Sequence, residues 1–463
     1  MSYVRINKHF LHLPYLALGL LEFCLLAAAA YIVSSAVVDA APSSHLQSAL
    51  LYAVILSASS LSMGVYPALV KEGFANMVLR TLVSFFLLGS AVMMILGSLN
   101  DAFYSDNRVL LVVVLISAFI MLPARWLFKK LVDTKKMRRK ILIFGCGNRS
   151  QELLDDIAKF ANTRIEVFGC VPCSETQPVV AAEHVSEHPE NWLDYAKLHN
   201  VTEIVIAPDE RRKSDGAQLP LEQFLDCKLA GISVSDGQAF CERELGRIDL
   251  SLLRPSWMLF SEGFDYSAQR YWLKRIFDVS LSVVFLLILW PFMLLTALAI
   301  VIESGMPVLY SQERVGLRGK LFKIYKFRSM RQDAEKDGKA VWASKNDSRV
   351  TRVGAFIRNT RLDELPQIYN VLVGEMSFVG PRPERPQFVD ELKDSVPFYD
   401  LRHKVVPGLM GWAQLNYPYG ASVEDAKHKL EYDLYYAKNY SFMMDMLIMI
   451  QTVEIVLLGK GVH

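Results

Sequence analysis

No disulfide framework is encoded here: six cysteines are scattered through 463 residues, without the paired spacings of a stapled secreted fold. Cys170 and Cys173 form a lone C-x-x-C with no second pair and no histidine cluster nearby, which argues against a structural zinc site. No Gly-x-x-x-x-Gly-Lys-Ser/Thr loop occurs, so phosphate cradling of the P-loop kind is excluded. An excess of one charge is also missing. Fifty basic residues against 48 acidic ones leave a formal +2, which gives nucleic acid no electrostatic footprint. What the chain has in quantity is apolar side chains, 52% of the residues, with a mean hydropathy of +0.23. That is high for a soluble protein and points to membrane segments.

Four apolar stretches, at about 12–38, 46–70, 81–98 and 109–128, each approach the ~20 residues needed to cross a bilayer. The first lacks a small-residue cleavage site behind it and reads as an uncleaved membrane segment. Charge alternates along their flanks. Arg5 and Lys8 precede the first stretch, Asp39 follows it, Lys71 and Arg80 border the next loop, and Asp101 and Asp106 lie in the one after. Behind the fourth comes a basic run of Lys129, Lys130, Lys135, Lys136, Arg138, Arg139 and Lys140. The positive-inside rule then places both ends of a four-span bundle, residues 1–130, on the cytoplasmic side. Glu22 within the first span is either a functional acid or one that faces neighbouring helices.

At Arg139 the period changes. Strand patterns at Lys140–Phe144, Ile165–Val171, Glu203–Ala207 and Ile232–Ser235 alternate with helical ones at Gln151–Phe160 and Leu219–Ala230. This predicts a Rossmann-like α/β module over 139–250 with a parallel sheet. Gly145-Cys146-Gly147 follows the first strand, yet Ser150 stands where a dinucleotide fingerprint has its third glycine, and no acid closes the second strand. A structural or regulatory module is therefore favoured over a dehydrogenase.

An aromatic-rich linker at 251–270 leads to a mostly α-helical segment, 271–463, that carries the chemistry. It opens on a fifth apolar stretch at about 279–301, long enough to span at ~35 Å. Lys274 and Arg275 before it and Arg314, Arg318, Lys320, Lys323, Lys326 and Arg328 after it make both flanks cytoplasmic in character. Pro291 near its middle is able to break the helix. The reading is a re-entrant helix–break–helix, because a full crossing would carry every candidate catalytic residue outside the cell. The stretch Phe442–Leu458 holds Asp445, Gln451 and Glu454 and reads as an amphipathic helix on the membrane or on the catalytic segment.

Two adjacent acids, Asp363 and Glu364, precede Pro366 within Thr360–Gln367. Asp363 is expected to cap a helix starting there, with Pro366 in its first turn. The positive end of that helix favours both an ionised carboxylate and a bound phosphate. An ionised carboxylate beside phosphate-binding groups is a candidate nucleophile on phosphorus. Arg382, between Pro381 and Pro383, has a stiff backbone and a guanidinium suited to phosphate. Lys326, Arg328 and Arg358 are further cations for a diphosphate, or, for the first two, charges facing anionic lipid headgroups.

Several motifs stand in order here: Lys274–Asp278, Gln312–Gly316, Phe322–Met330, Arg361–Gln367, Met376–Pro383 and Pro407–Gln414. With them, the 270–463 portion resembles the bacterial sugar transferases that are polyprenyl-phosphate hexose-1-phosphate transferases. The bundle plus α/β module resembles the large, multi-domain branch of that family. Asn416–Ser422 is similar, less closely, to members tied to exosortase-linked exopolysaccharide clusters. The resemblance implies transfer of a sugar 1-phosphate from a UDP-sugar donor to undecaprenyl phosphate, releasing UMP and starting exopolysaccharide or O-antigen-type glycan synthesis. It implies Asp363 as nucleophile, forming a covalent phosphosugar, and Glu364 as the acid that helps hold Mg²⁺ or manages the acceptor proton. Mg²⁺ would lie on Glu364 and Asp363. Substrate would meet Lys326, Arg328, Arg358, Arg382, Gln414 and Asp433, the last against the simpler view of a helix-surface acid. The implied setting is the bacterial cytoplasmic membrane, with the catalytic domain on its cytoplasmic face, lipid as a partner and a homodimer allowed. Met410, Val406 and Trp290 depart from residues common in the family at those positions. The competing function is a non-catalytic membrane scaffold in a polysaccharide assembly complex, and a nucleotide-dependent oxidoreductase built on 139–250 is the other rival.

Overall fold

The computed structural model describes residues 3–6, 9–37, 41–63, 65, 73–99, 107–131, 139–160, 165–173, 178–209, 219–251, 253, 255–261, 263, 264, 267–331, 349–417, 420 and 422–457. They fall into two compact units, Met1–Leu259 and Phe260–His463. Lys8, Asp39, Lys71, Asp101, Asp106, Lys135, Lys136, Arg138 and Leu458, which entered the topology reading, lie outside the described residues.

After a short antiparallel strand pair, Tyr3–Ile6 with His9–His12, the first unit has helices at Leu13–Val37 and Pro42–Ser62, a helical run over Gly73–Leu82, Val83–Gly89 and Ser90–Leu99 (its middle a π-helical segment), and a helix at Asn107–Leu131. Their shared core packs Leu26, Ala30, Ala53, Leu56, Phe85 and Val113, while Leu20, Ile32, Leu87 and Phe119 face outward. Three of the expected spans are long and apolar enough to cross a membrane, at Ala17–Val37, Met77–Gly97 and Val109–Lys130; the fourth such helix is Ala268–Ser304. The stretch expected over 46–70 differs. Its helix ends at Ser62 and its serines dilute the apolar character, with Ser48, Ser59, Ser60 and Ser62 turned into the bundle.

One arginine ties the bundle together. Arg125 Nε and Nη2 donate to the two carboxylate oxygens of Glu22 at 2.7 and 2.8 Å, Nη1 donates to Thr81 Oγ1 at 2.6 Å, and Nη2 to Ser60 Oγ at 3.2 Å. All four helices contribute, and both charges are buried. Glu22 is thus an acid facing its neighbours. Arg125→Ala is expected to cost about 3–5 kcal/mol by stranding a buried carboxylate. The check is thermal unfolding in detergent. Arg125→Ala/Glu22→Gln should melt above Arg125→Ala alone, and a lower melt for the double variant would refute the pairing.

The same unit contains four parallel strands, Arg139–Phe144, Ile165–Val171, Glu203–Ile206 and Ser233–Asp236. In space the second lies beside the first, followed by the third and fourth. Alternation sends Ile141, Ile143 and Val205 to one face with Leu153, Ile157 and Phe240, and Leu142, Phe144 and Ile204 to the other with Trp192 and Phe224. The glycine turn leads into the Asn148–Phe160 helix. Its first amides do not face open space: Asn148 and Arg149 N–H donate to the Asp209 carboxylate, both at 2.9 Å. A Cβ on Gly147 would lie 2.1 Å from Asp209 Oδ2. The chain's own acid fills the position a dinucleotide pyrophosphate takes at such a turn.

The second unit is organised on the Ala268–Ser304 helix, 37 residues and ~55 Å long. The expected break at Pro291 is not seen; helix continues on both sides of it. Proline removes one backbone donor and one hydrogen bond, which a long apolar helix absorbs. Near its start Lys274 pairs with Asp445 at 2.6 Å, Arg275 donates to the Val371 and Leu372 carbonyls, and Asp278 accepts from Phe378 N–H at 3.3 Å. Near its end Met293, Ala297 and Ile300 pack with Phe327 and Ile357. Glu303 accepts from the first amides of the Arg352–Asn359 helix. Both ends therefore rest on one body, while Leu287, Trp290, Leu294, Leu295 and Leu298 stay exposed. Strands Leu309–Val315 and Leu321–Phe327 form an antiparallel hairpin, and Ser377–Val379 pairs in parallel with Gly408–Met410. The helix Phe442–Leu457 turns Asp445 inward onto Lys274 and the Tyr436 hydroxyl, so that this face packs on the unit, one of the two placements its polar residues allowed.

Candidate active site

Arg361 adopts a left-handed turn, φ 59°, after the Arg352–Asn359 helix and starts a 3₁₀ stretch over Leu362–Gln367, followed by a helix at Ile368–Val373. Asp363 is consequently not the helix cap expected from sequence. The cap position belongs to Arg361 and no side chain closes it. The tight i to i+3 turn instead carries both acids in its first turn, with Pro366 inside it.

The two carboxylates have opposite surroundings. Glu364 Oε1 accepts from Lys326 Nζ at 3.0 Å and Arg382 Nη2 at 2.8 Å, with Arg361 Nη1 at 3.9 Å. Burial opposes its ionisation, yet Lys326 and Arg382 outweigh that and hold the carboxyl well below the ordinary range. Asp363 is 8% exposed, and its carboxylate accepts no hydrogen bond among the described residues. Burial raises its pKa and the like charge of Glu364 adds to the rise, against Lys326, Arg361 and Arg382. Burial also lowers the pKa of Lys326, against the pull of Glu364.

Each partner is delivered by local pattern. Phe322, Ile324 and Lys326 alternate onto one strand face, the first two buried, so Lys326 continues an inward row. Arg382 follows two residues fixed by backbone bonds: Gly380 N–H donates to Met410 O at 2.8 Å and Gly408 N–H to Pro381 O at 2.9 Å. The strands approach so closely that a Cβ on Gly408 would meet Gly380 N at 2.0 Å. Asn370, which sequence reasoning passed over, staples strand to acid turn. It accepts from Tyr325 N–H at 3.2 Å and donates to Lys323 O at 2.7 Å and to Glu375 at 2.8 Å. A lone amide inside the apolar run Ile368–Val373 was its signal. Arg314, Arg361 and Arg402 were also missed in this setting.

Not every expected residue joins the cluster. Arg328 turns to the end of the long helix, donating to Ser304 O, Ser304 Oγ and Gly305 O at 2.7–2.9 Å. Arg358 makes no hydrogen bond or ion pair through its side chain among the described residues. Gln414 is exposed on the short Trp412–Asn416 helix. Asp433 is neither at the surface nor beside the acid pair; it is buried in the Val423–Asn439 helix and paired with Arg402 at 2.8 Å.

The comparisons with known proteins bear on this unit. Residues 269–459 match the family model described as bacterial sugar transferase. A UDP-N-acetylgalactosamine-undecaprenyl-phosphate N-acetylgalactosaminephosphotransferase of Aeromonas hydrophila is 43% identical over 300 residues, 64% of this chain and 69% of that protein. This chain belongs to the bacterial sugar transferase family. A UDP-glucose:undecaprenyl-phosphate glucose-1-phosphate transferase of Klebsiella pneumoniae is 43% identical over 182 residues, 39% of each chain. An exopolysaccharide production protein PSS of Rhizobium leguminosarum bv. phaseoli is 44% identical over 198 residues, 41% of this chain and 98% of that one. For a sugar transferase of this family, the acid pair and its three cations all fall inside the matched span.

Proposed function

We propose that this membrane enzyme transfers a sugar 1-phosphate from a UDP-sugar to undecaprenyl phosphate through a covalent phosphosugar on Asp363. The observation that carries the reading is the contrast within the acid pair: Glu364 Oε1 gathers Lys326 and Arg382, while the Asp363 carboxylate beside it accepts no hydrogen bond among the described residues. A carboxylate Oδ of Asp363 attacks the sugar-bearing phosphorus, a P–O bond to the acid forms, and the phosphoanhydride bond to UMP breaks. A phosphate oxygen of the lipid then attacks the same phosphorus, the acyl phosphate bond breaks, and the Asp363 carboxylate is regenerated. One anhydride replaces another, so no further energy source is needed.

Lys326 and Arg382, gathered on Glu364, neutralise the charge that builds on the phosphoryl oxygens in each step. Two carboxylates and no third nearby acid among the described residues suit Mg²⁺, which takes few protein ligands and completes its shell with water and phosphate. Asp363 and the second oxygen of Glu364 would hold it. Bound there, it supplies charge neutralisation at the diphosphate. The exposed apolar stripe of the Ala268–Ser304 helix supports placing this unit against a membrane, and a soluble nucleotide donor makes the cytoplasmic leaflet the proposed one, where donor and lipid acceptor meet. Because both ends of this uninterrupted helix rest on one body, the favoured seating keeps both ends on one side of the membrane, with the helix bent at Pro291 rather than broken there, over a full crossing.

The test supplies membranes bearing the protein with UDP-sugars, undecaprenyl phosphate and Mg²⁺ and separates the nucleotide products. UMP with lipid-linked diphosphate sugar is expected. UDP as product would mean direct glycosyl transfer, and no lipid-dependent nucleotide at all would favour a scaffold.

A further inference from the structure

We infer that Arg402 and Asp433 form a positioning relay that fixes the backbone of Arg382 and thereby aims its guanidinium at the acid pair. This deepens the transferase reading, and only its kinetic arm rests on that reading.

The segment Pro381–Glu384 lacks two amide donors, because prolines occupy two of its four positions. Its carbonyls must be held from outside, and all four are. Pro381 O accepts from Gly408 N–H at 2.9 Å, Arg382 O from Arg402 Nη2 at 2.9 Å, Pro383 O from Arg314 Nη1 at 3.1 Å, and Glu384 O from Val315 N–H at 3.0 Å. The contact at Arg382 itself depends on a side chain, so its stiffness depends on what holds that side chain. Arg402 is 7% exposed; Nη1 donates to the Tyr399 hydroxyl at 2.7 Å and Nη2 pairs with Asp433 Oδ2 at 2.8 Å. Asp433 has no other ion pair among the described residues. A buried guanidinium stripped of its counter-charge is strongly unfavourable, so loss of the Asp433 charge is expected to free Arg402 from its place on the Arg382 carbonyl.

Four charged or titratable groups face Asp433: Arg402 and Tyr399 from 399–404, Glu384 from the proline segment, and Lys429 one turn earlier on its own helix. Burial pushes the Asp433 carboxyl up to about 6 against the pull of Arg402, with Glu384 adding to the rise and Lys429 opposing it. The relay therefore loses its anion as pH falls through that value.

The experiment compares the full-length wild type with Asp433→Asn, Asp433→Glu and Arg402→Lys, by amide hydrogen exchange and by UMP release across pH. Asp433→Asn is expected to speed exchange at Gly408 and Val315 about tenfold, with the α/β module unchanged. In the same variant kcat falls about tenfold with KM within about twofold, as for a misplaced group that acts in the transition state. Its acid limb near pH 6 also disappears. Asp433→Glu should recover part of the rate, and Arg402→Lys should repeat the Asn result with the melting temperature preserved. Unchanged exchange at Gly408 and Val315 overturns the relay whatever the rate does, and faster exchange at unchanged kcat overturns its role in catalysis. A wild type without turnover would refute the transferase reading and leave the exchange result to decide the relay.

Discussion

Asp363→Asn is expected to abolish transfer, lowering UMP release by at least about 10³-fold, and to leave no protein-bound label when radiolabelled donor is quenched in acid. The amide has the shape of the carboxylate but no anionic oxygen to offer phosphorus. Asp363→Glu should be nearly as inactive, since one added methylene moves the oxygens by about 1.5 Å in a site where about 1 Å is costly. Stability runs the other way. Burial and Glu364 raise the Asp363 pKa above its unfolded value, so the folded state prefers the protonated acid and is destabilised as pH rises through that range. At neutral pH the ionised carboxylate is thus a net cost, and Asp363→Asn should melt at or above the wild type. Retained turnover would sink the nucleophile assignment. A sharply lower melting temperature would sink the account of why Asp363 is strained.

Much of the fold was legible because its signals are local. The four strands of the α/β module fall within one residue of their sequence patterns, since glycine turns and a period of two bound them. The acid pair and Arg382 stood out through neighbouring prolines. What stayed hidden depends on distance in the chain. Nothing around Glu22 announces Arg125, 103 residues away, and nothing around Asp433 announces Arg402 on another segment. Lys326 and Arg328 look equivalent in sequence, yet the strand row carries Lys326 to Glu364 while the helix end captures Arg328. The cap at Asp363 was misread because a left-handed Arg361 has no sequence signature as glycine would. The break at Pro291 was overread, because proline weakens a helix without obliging it to end.

Glu364→Gln is expected to cut kcat by about 10²-fold, through the cations it gathers rather than by loss of a nucleophile. Lys326 and Arg382 meet on a single oxygen, Oε1. A neutral amide binds two cations far less well, so their hold on that oxygen loosens although both stay beside the pair. Three further consequences distinguish this variant from Asp363→Asn. The Glu364 pKa lies well below its unfolded value, so its ionisation contributes stability that is present above the unfolded pKa and lost as pH falls through the folded one. Glu364→Gln should therefore melt several degrees lower near neutral pH, at about 2–4 °C per kcal/mol for a unit of this size, and the gap should narrow in acid. Labelled phosphosugar should still accumulate on the protein, slowly, because Asp363 is intact. Finally, Asp363 loses the like charge that lifts its pKa while the neighbouring cations remain. The acid limb of kcat attributable to Asp363 should then move to lower pH, and a limb that stays put or rises would mean that the two carboxylates do not share one electrostatic site.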